Sequence, residues 1–178
     1  MSLDLKMIFA GFGGQGVLFA GKVITYAGLI EDKEITWLPS YGPEMRGGTA
    51  NCSVSISDKP IGAPNISTPN VLVAMNLPSF DKFIDHVAPG GTVIVDSTLI
   101  PKKSERDDIN AFYIPASELA VKNNLRGLSN IILTGKLFKE LDFCSFETIQ
   151  KAINKCVPKS KAQLIDKNLA AVKIGMEL

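Results

Sequence analysis

The sequence predicts an α/β domain: a mainly parallel sheet with helices on both faces, followed by a helical C-terminal segment. Three observations predict it. Short apolar runs alternate with segments of helical periodicity, the order that builds parallel sheets with crossover helices. A glycine-rich turn joins the first apolar run to the first helical segment. After Ile114 only helical periodicities remain.

Lys6 to Ala10 is apolar after its lysine and ends at Gly11, which reads as a buried first strand. From Gln15 to about Leu29, Val17, Ala20, Ile24 and Ala27 share one helical face. Ile35 to Leu38 is a second strand halted by Pro39, and Pro39 to Thr49 is a loop by composition. Ala50 to Ser57 alternates, with Cys52, Val54 and Ile56 on one side and serines on the other, the pattern of a half-buried strand. Val71 to Met75 is continuously apolar and reads as a central strand buried on both faces. A short helix opened by Pro78 runs to Val87, and Pro89-Gly90-Gly91 turns the chain into a strand at Thr92 to Val95. Phe112 to Ile114 is the last strand. Helices are expected at Ser117 to Lys122, Asn130 to Glu140 and Phe146 to Lys155. Beyond Pro158 a terminal helix aligns Ile165, Leu169, Val172 and Met176. Residues 1–178 read as a single domain, without repeat or linker.

Composition narrows the function. Hydrophobic residues make up 46% and charged residues 21% of the chain, the balance of a globular protein. The net charge is +1 and no stripe of Lys or Arg is present, which argues against nucleic acid as a partner. Cys52, Cys144 and Cys156 are too scattered for a disulfide framework, pointing to a reducing cytoplasm. The same spacing excludes an iron–sulfur cluster built by this chain alone. The apolar N-terminal stretch carries Asp4 and Lys6 and is broken by glycines, so no membrane span is expected.

Gly11, Gly13 and Gly16 form G-x-G-x-x-G between a strand and a helix, a Rossmann-like context. Such glycines let a ligand approach the backbone, and the helix N-terminus offers unpaired N–H groups. The acid that a dinucleotide site places at the end of the second strand is missing. Glu31, Asp32 and Glu34 come too early, and Pro39-Ser40-Tyr41 follows the strand. Three readings stay open: close packing of strand on helix, nucleotide binding, and docking of a partner or another anion. Gly16 to Lys22 also reads G-x-x-x-x-G-K, the start of a P-loop, but Val23 stands where Ser or Thr is required.

The second candidate is the loop Tyr41-Gly42-Pro43-Glu44-Met45-Arg46-Gly47-Gly48. At the C-terminal end of a parallel strand it shares a sheet edge with Gly11, Gly13, Gly14, Gln15 and Gly16, where ligand sites gather. Arg46 beside two glycines suits an anion, Glu44 is an intramolecular or intersubunit ion partner, and Tyr41 can stack or donate its hydroxyl. Aromatic, Met and Arg side chains together favour an interface over a solvated turn.

Taken together these segments resemble the γ subunit, or γ domain, of 2-oxoacid:ferredoxin oxidoreductases. The resemblance runs from Gly11-Phe12-Gly13-Gly14-Gln15-Gly16-Val17 through Pro39 to Gly48 and a V-x-I-S-D stretch at Val54 to Asp58. It continues with Asn70-Val71-Leu72-Val73-Ala74-Met75-Asn76, where Asn70 replaces the family's acid. Pro89-Gly90-Gly91 and Asn130 with Gly135 complete it, Thr134 replacing a leucine. The resemblance implies a complex that converts a 2-oxoacid, coenzyme A (CoA) and oxidised ferredoxin to acyl-CoA, carbon dioxide and reduced ferredoxin. Thiamine diphosphate with Mg and iron–sulfur clusters would do the chemistry, held by α and β subunits and a ferredoxin-like subunit. This chain has neither a G-D-G…N-N pattern nor cluster-type cysteines, and is expected to hold no cofactor and to be inactive alone. Its one histidine, His86, reads as a surface residue. The Pro43 to Gly48 wording resembles 2-oxoglutarate and branched-chain types more than pyruvate types. Two alternatives remain: a free-standing Rossmann-like nucleotide-binding protein, and an indolepyruvate oxidoreductase subunit.

Overall fold

A computed structural model describes residues 2–40 and 49–178. Six strands form one sheet in the order β2-β3-β1-β4-β5-β6. The strands are β1 (Asp4–Phe12), β2 (Glu34–Ser40), β3 (Thr49–Ser57), β4 (Val71–Ala74), β5 (Thr92–Asp96) and β6 (Asn110–Ile114). The helices are α1 (Val17–Ile30), α2 (Leu77–Phe83), α3 (Ala116–Lys122), α4 (Ser129–Leu141), α5 (Phe146–Cys156) and α6 (Ile165–Met176). Each element expected from periodicity is present. The helix expected to run to Val87 instead leaves the α geometry at Phe83 and ends in a 3-10 turn, Ile84–His86.

The topology departs from expectation in one strand. β1, β4, β5 and β6 are parallel, but β3 runs antiparallel between β1 and β2. The connection from Ser40 to Thr49 is shorter than the dozen or so residues that a parallel crossover needs, so β2 and β3 can pair only as a hairpin. β3 then lies along all of β1, from Asp4 opposite Ser57 to Phe12 opposite Thr49. The sheet is therefore mixed, and its order is not the 3-2-1-4-5-6 of a two-halved dinucleotide fold.

The helices are unevenly shared. Met7, Phe9, Cys52, Val54, Ile56, Val71 and Val73 face a layer built by α1, α3, α4, α5 and α6. On the other face Ile8, Ala10, Leu72, Ala74, Val93 and Val95 are covered by α2, the 3-10 turn and Ile100. α1 lies close on β3 because Gly21 has no side chain: a Cβ there would strike Cys52 Sγ. The glycine of the apparent P-loop is thus a packing glycine inside a helix, and Val23 is buried beside it. α4 and α6 cross at a second intimate contact, where a Cβ on Gly135 would enter the backbone of Val172.

Candidate functional site

β1 ends at Phe12, and the chain turns through Gly13 to Gly16 before entering α1. The turn is left-handed at Gly14 (φ 92°) and Gly16 (φ 75°), conformations that favour glycine. Gln15 locks it from inside. Its Oε1 accepts the Phe12 N–H at 2.6 Å, and its Nε2 donates to the Met75 carbonyl at 3.0 Å. The Gly16 carbonyl accepts the Ala20 N–H of α1 and the Asn130 Nδ2 of α4, each at 3.0 Å. A Cβ on Gly16 would collide with the Asn130 amide. The turn is therefore clamped from β4 on one side and α4 on the other.

The clamp leaves ligand-facing capacity. α1 has no side-chain cap and no acid in its first turn, so its leading N–H groups keep their positive partial charge. Asn76 caps α2, its Oδ1 accepting the Ser79 N–H at 2.9 Å, while its Nδ2 has no partner among the described residues. Asn130 Oδ1 is likewise unpartnered among them, and both asparagines are buried. Phe12 and Leu77 are 41% and 37% exposed nearby. The rim thus offers some apolar contact area and the leading N–H groups of α1, while the unpartnered asparagine atoms lie sealed beneath it.

Sequence reasoning placed the Tyr41 to Gly48 loop on this rim. Tyr41, Gly42, Pro43, Glu44, Met45, Arg46, Gly47 and Gly48 lie outside the described residues. Their flanks are described: Ser40 pairs with Asn51, and Thr49 pairs with Phe12. Two antiparallel steps make β2 run in the direction of β1, so this loop starts and ends at the edge that carries the glycine turn. Antiparallel β3 lies between β2 and β1, and brings Thr49 back to that edge. Asn76, Asn130, Phe12 and Leu77 were not among the sequence candidates. An N-cap before Pro78 made Asn76 findable, whereas Asn130, quoted above only for the resemblance, is 114 residues from Gly16 and no local pattern predicts their contact.

Among the described residues no group of His, Cys, Asp and Glu is placed to hold a metal ion. The cysteines are free, and burial pushes the Cys52, Cys144 and Cys156 thiols up to about 12. His86 sits exposed in the 3-10 turn, its Nδ1 3.1 Å from the Lys82 carbonyl. Asp96, fully buried at the end of β5, accepts the Thr98 N–H and the Ser117 N–H and hydroxyl, which fastens α3 to the sheet. Among the described residues no helix is long and apolar enough to cross a membrane.

Residues 6–178 match the pyruvate ferredoxin/flavodoxin oxidoreductase family. The ketoisovalerate oxidoreductase subunit VorA of Methanothermobacter thermautotrophicus is 38% identical over 98% of this chain and 36% of its own. The chain thus spans about a third of that relative. The 2-oxoglutarate synthase subunit KorC of Methanocaldococcus jannaschii is 37% identical over 95% of this chain and 90% of its own. The crystal structure of a keto/oxoacid ferredoxin oxidoreductase γ subunit from Geobacter sulfurreducens superposes with a TM-score of 0.82. It is 28% identical and covers 97% of this chain and 96% of the other. With a family match over nearly its whole length and a full-length fold match to a γ subunit, the chain belongs to the pyruvate ferredoxin/flavodoxin oxidoreductase family.

Proposed function

We propose that this chain is the γ subunit of a cytoplasmic 2-oxoacid:ferredoxin oxidoreductase and contributes a docking rim rather than a catalytic group. One observation carries the reading: the glycine turn is locked by Gln15 and Asn130, while Phe12 at its start and Leu77 at the start of α2 stay exposed. A rigid rim with apolar area lowers the ordering cost of assembly. The described residues fit neither thiamine diphosphate with its metal nor an iron–sulfur cluster, so both are assigned to partner subunits. The partners would be the thiamine-binding α and β subunits and a ferredoxin-like subunit, with ferredoxin as acceptor. The α1 N-terminus and the 41–48 loop would border the path of CoA or oxoacid. Gly11, Gly13, Gly14, Gln15 and Gly16, with Tyr41 to Gly48, would line this interface.

The substrate reading favours 2-oxoglutarate, because the KorC relative matches this chain end to end. The VorA relative supports a branched-chain oxoacid as the second reading. Co-expression with the partner subunits, followed by kcat/KM for 2-oxoglutarate, 2-oxoisovalerate, pyruvate and indolepyruvate, tests both. Preference for 2-oxoglutarate is expected. Activity of the isolated chain, or tight binding of NADH, FAD or ATP without any partner, would refute the subunit reading. Arg46→Ala should fold normally and weaken assembly or turnover about tenfold or more, the loss of one charge-assisted contact.

A further inference from the structure

α2 leaves β4 at the rim and runs back toward the start of β5, and its two ends are held in different ways. The rear end is pinned. Arg106 Nη1 donates to the Ile84 carbonyl at 2.9 Å and to the Val87 carbonyl at 2.8 Å, across the 3-10 turn that ends the helix. The same guanidinium grips Asp108 with two parallel bonds, Nε to Oδ1 and Nη2 to Oδ2, each at 2.8 Å. The Asp108 carbonyl accepts the Gly90 N–H at 2.6 Å, which ties this pin to the turn before β5. A planar fork with both prongs filled fixes direction as well as position.

The front end is left unsatisfied. Asn76 Nδ2 and Ser79 Oγ have no partner among the described residues, although both residues are buried. A polar atom buried unpaired costs free energy that pairing returns. The seat of the helix is also narrow. Phe80 is the one large side chain of α2 that is fully buried, and a cleft of about 160 Å³ opens beside Phe83, bounded by Ile8, Ile66 and His86. A short helix seated on one side chain with an open flank belongs to the low-stability end of a fold. Met75, just before it, is fixed: its N–H donates to the Ala10 carbonyl at 2.8 Å and its carbonyl accepts Gln15 Nε2 at 3.0 Å. Asn76, extended at φ −149° and ψ 158°, is the single link between this fixed point and α2. The glycine turn is thus the fixed side of the rim, and α2 is the side free to move.

We propose that α2 is a pivot: when the subunit docks, its front end lifts about the end that Arg106 pins, and Asn76 and Ser79 gain the partners they lack. Better pairing in the lifted position is what lets docking shift the equilibrium. The inference rests on the chain being one subunit of an assembly, but not on the glycine turn making the contact. Two substitutions test it, in the full chain alone and in the complex co-expressed with its partner subunits. Ser79→Ala removes an unpaired hydroxyl from the resting position and a paired one from the lifted position. It should raise the Tm of the isolated chain by at least about 2 °C, yet weaken assembly at least about tenfold. Arg106→Lys keeps the charge and loses the fork. It should speed hydrogen–deuterium exchange of amides 84–87 and weaken assembly, each at least about tenfold, with exchange in α4 as in wild type. An unchanged or lowered Tm for Ser79→Ala would show the hydroxyl already paired, as by an ordered water, and would overturn the pivot. A raised Tm with wild-type assembly would overturn it too, as would wild-type exchange at 84–87 in Arg106→Lys. Each of these leaves the rim reading standing where residues 11–16 are protected from exchange in the complex. Weak assembly of both variants without protection at 11–16 would keep the pivot and refute the rim.

Discussion

Replacing Gln15 by alanine removes both hydrogen bonds that lock the glycine turn, to the Phe12 N–H and the Met75 carbonyl. Each is worth about 1 kcal/mol net. Met75 is 1% exposed, so its carbonyl finds water poorly and its share lies toward the upper end. A loss of about 2 kcal/mol follows, which for a chain of this size lowers Tm by roughly 4–8 °C. Gln15→Glu sharpens the test. The carboxylate still accepts from Phe12 but sets a second oxygen against the Met75 carbonyl, so the fold favours the protonated acid, which can donate. The folded pKa of that carboxyl is therefore raised. Its favourable contribution is complete below the unfolded value of about 4.3 and is lost as pH rises through the folded value. Thermal unfolding followed by circular dichroism, with wild type subtracted at each pH, should show Gln15→Glu falling behind between pH 4 and 7. A Gln15→Ala Tm within about 1 °C of wild type, or a flat pH difference for Gln15→Glu, would refute the clamp.

Gly135→Ala drives a methyl into the Val172 backbone at the α4–α6 crossing, where neither main chain can give way. It should cost at least about 2 kcal/mol in denaturant unfolding, near the upper range for overpacking. The raised Cys52, Cys144 and Cys156 thiols should resist iodoacetamide at pH 8 in the native chain and react once it is unfolded, as counted by mass spectrometry. The hydrogen bond from Lys33, then that from the Leu3 N–H, holds the Asp58 carboxyl below the usual carboxylate range. Its contribution is present above the unfolded carboxylate pKa and lost as pH falls through the folded one. Asp58 in turn raises Lys33, whose contribution is lost as pH rises through its folded value, so Asp58→Asn should flatten both the acid limb and the alkaline limb of a stability–pH curve.

The chain by itself determined the elements and half of the rim. Apolar runs such as Val71 to Met75 can only be buried strands, and Gly14 and Gly16 announce a left-handed turn before a helix. These are local consequences of burial and of backbone sterics, so they are legible residue by residue. The short Ser40 to Thr49 connection also encoded the hairpin, but periodicity carries no strand direction, and the parallel expectation failed there. Only the tertiary structure decided who completes the site. Asn130 reaches Gly16 across 114 residues, and Gln15 reaches Met75 across 60, through contacts set by how α4 and β4 pack.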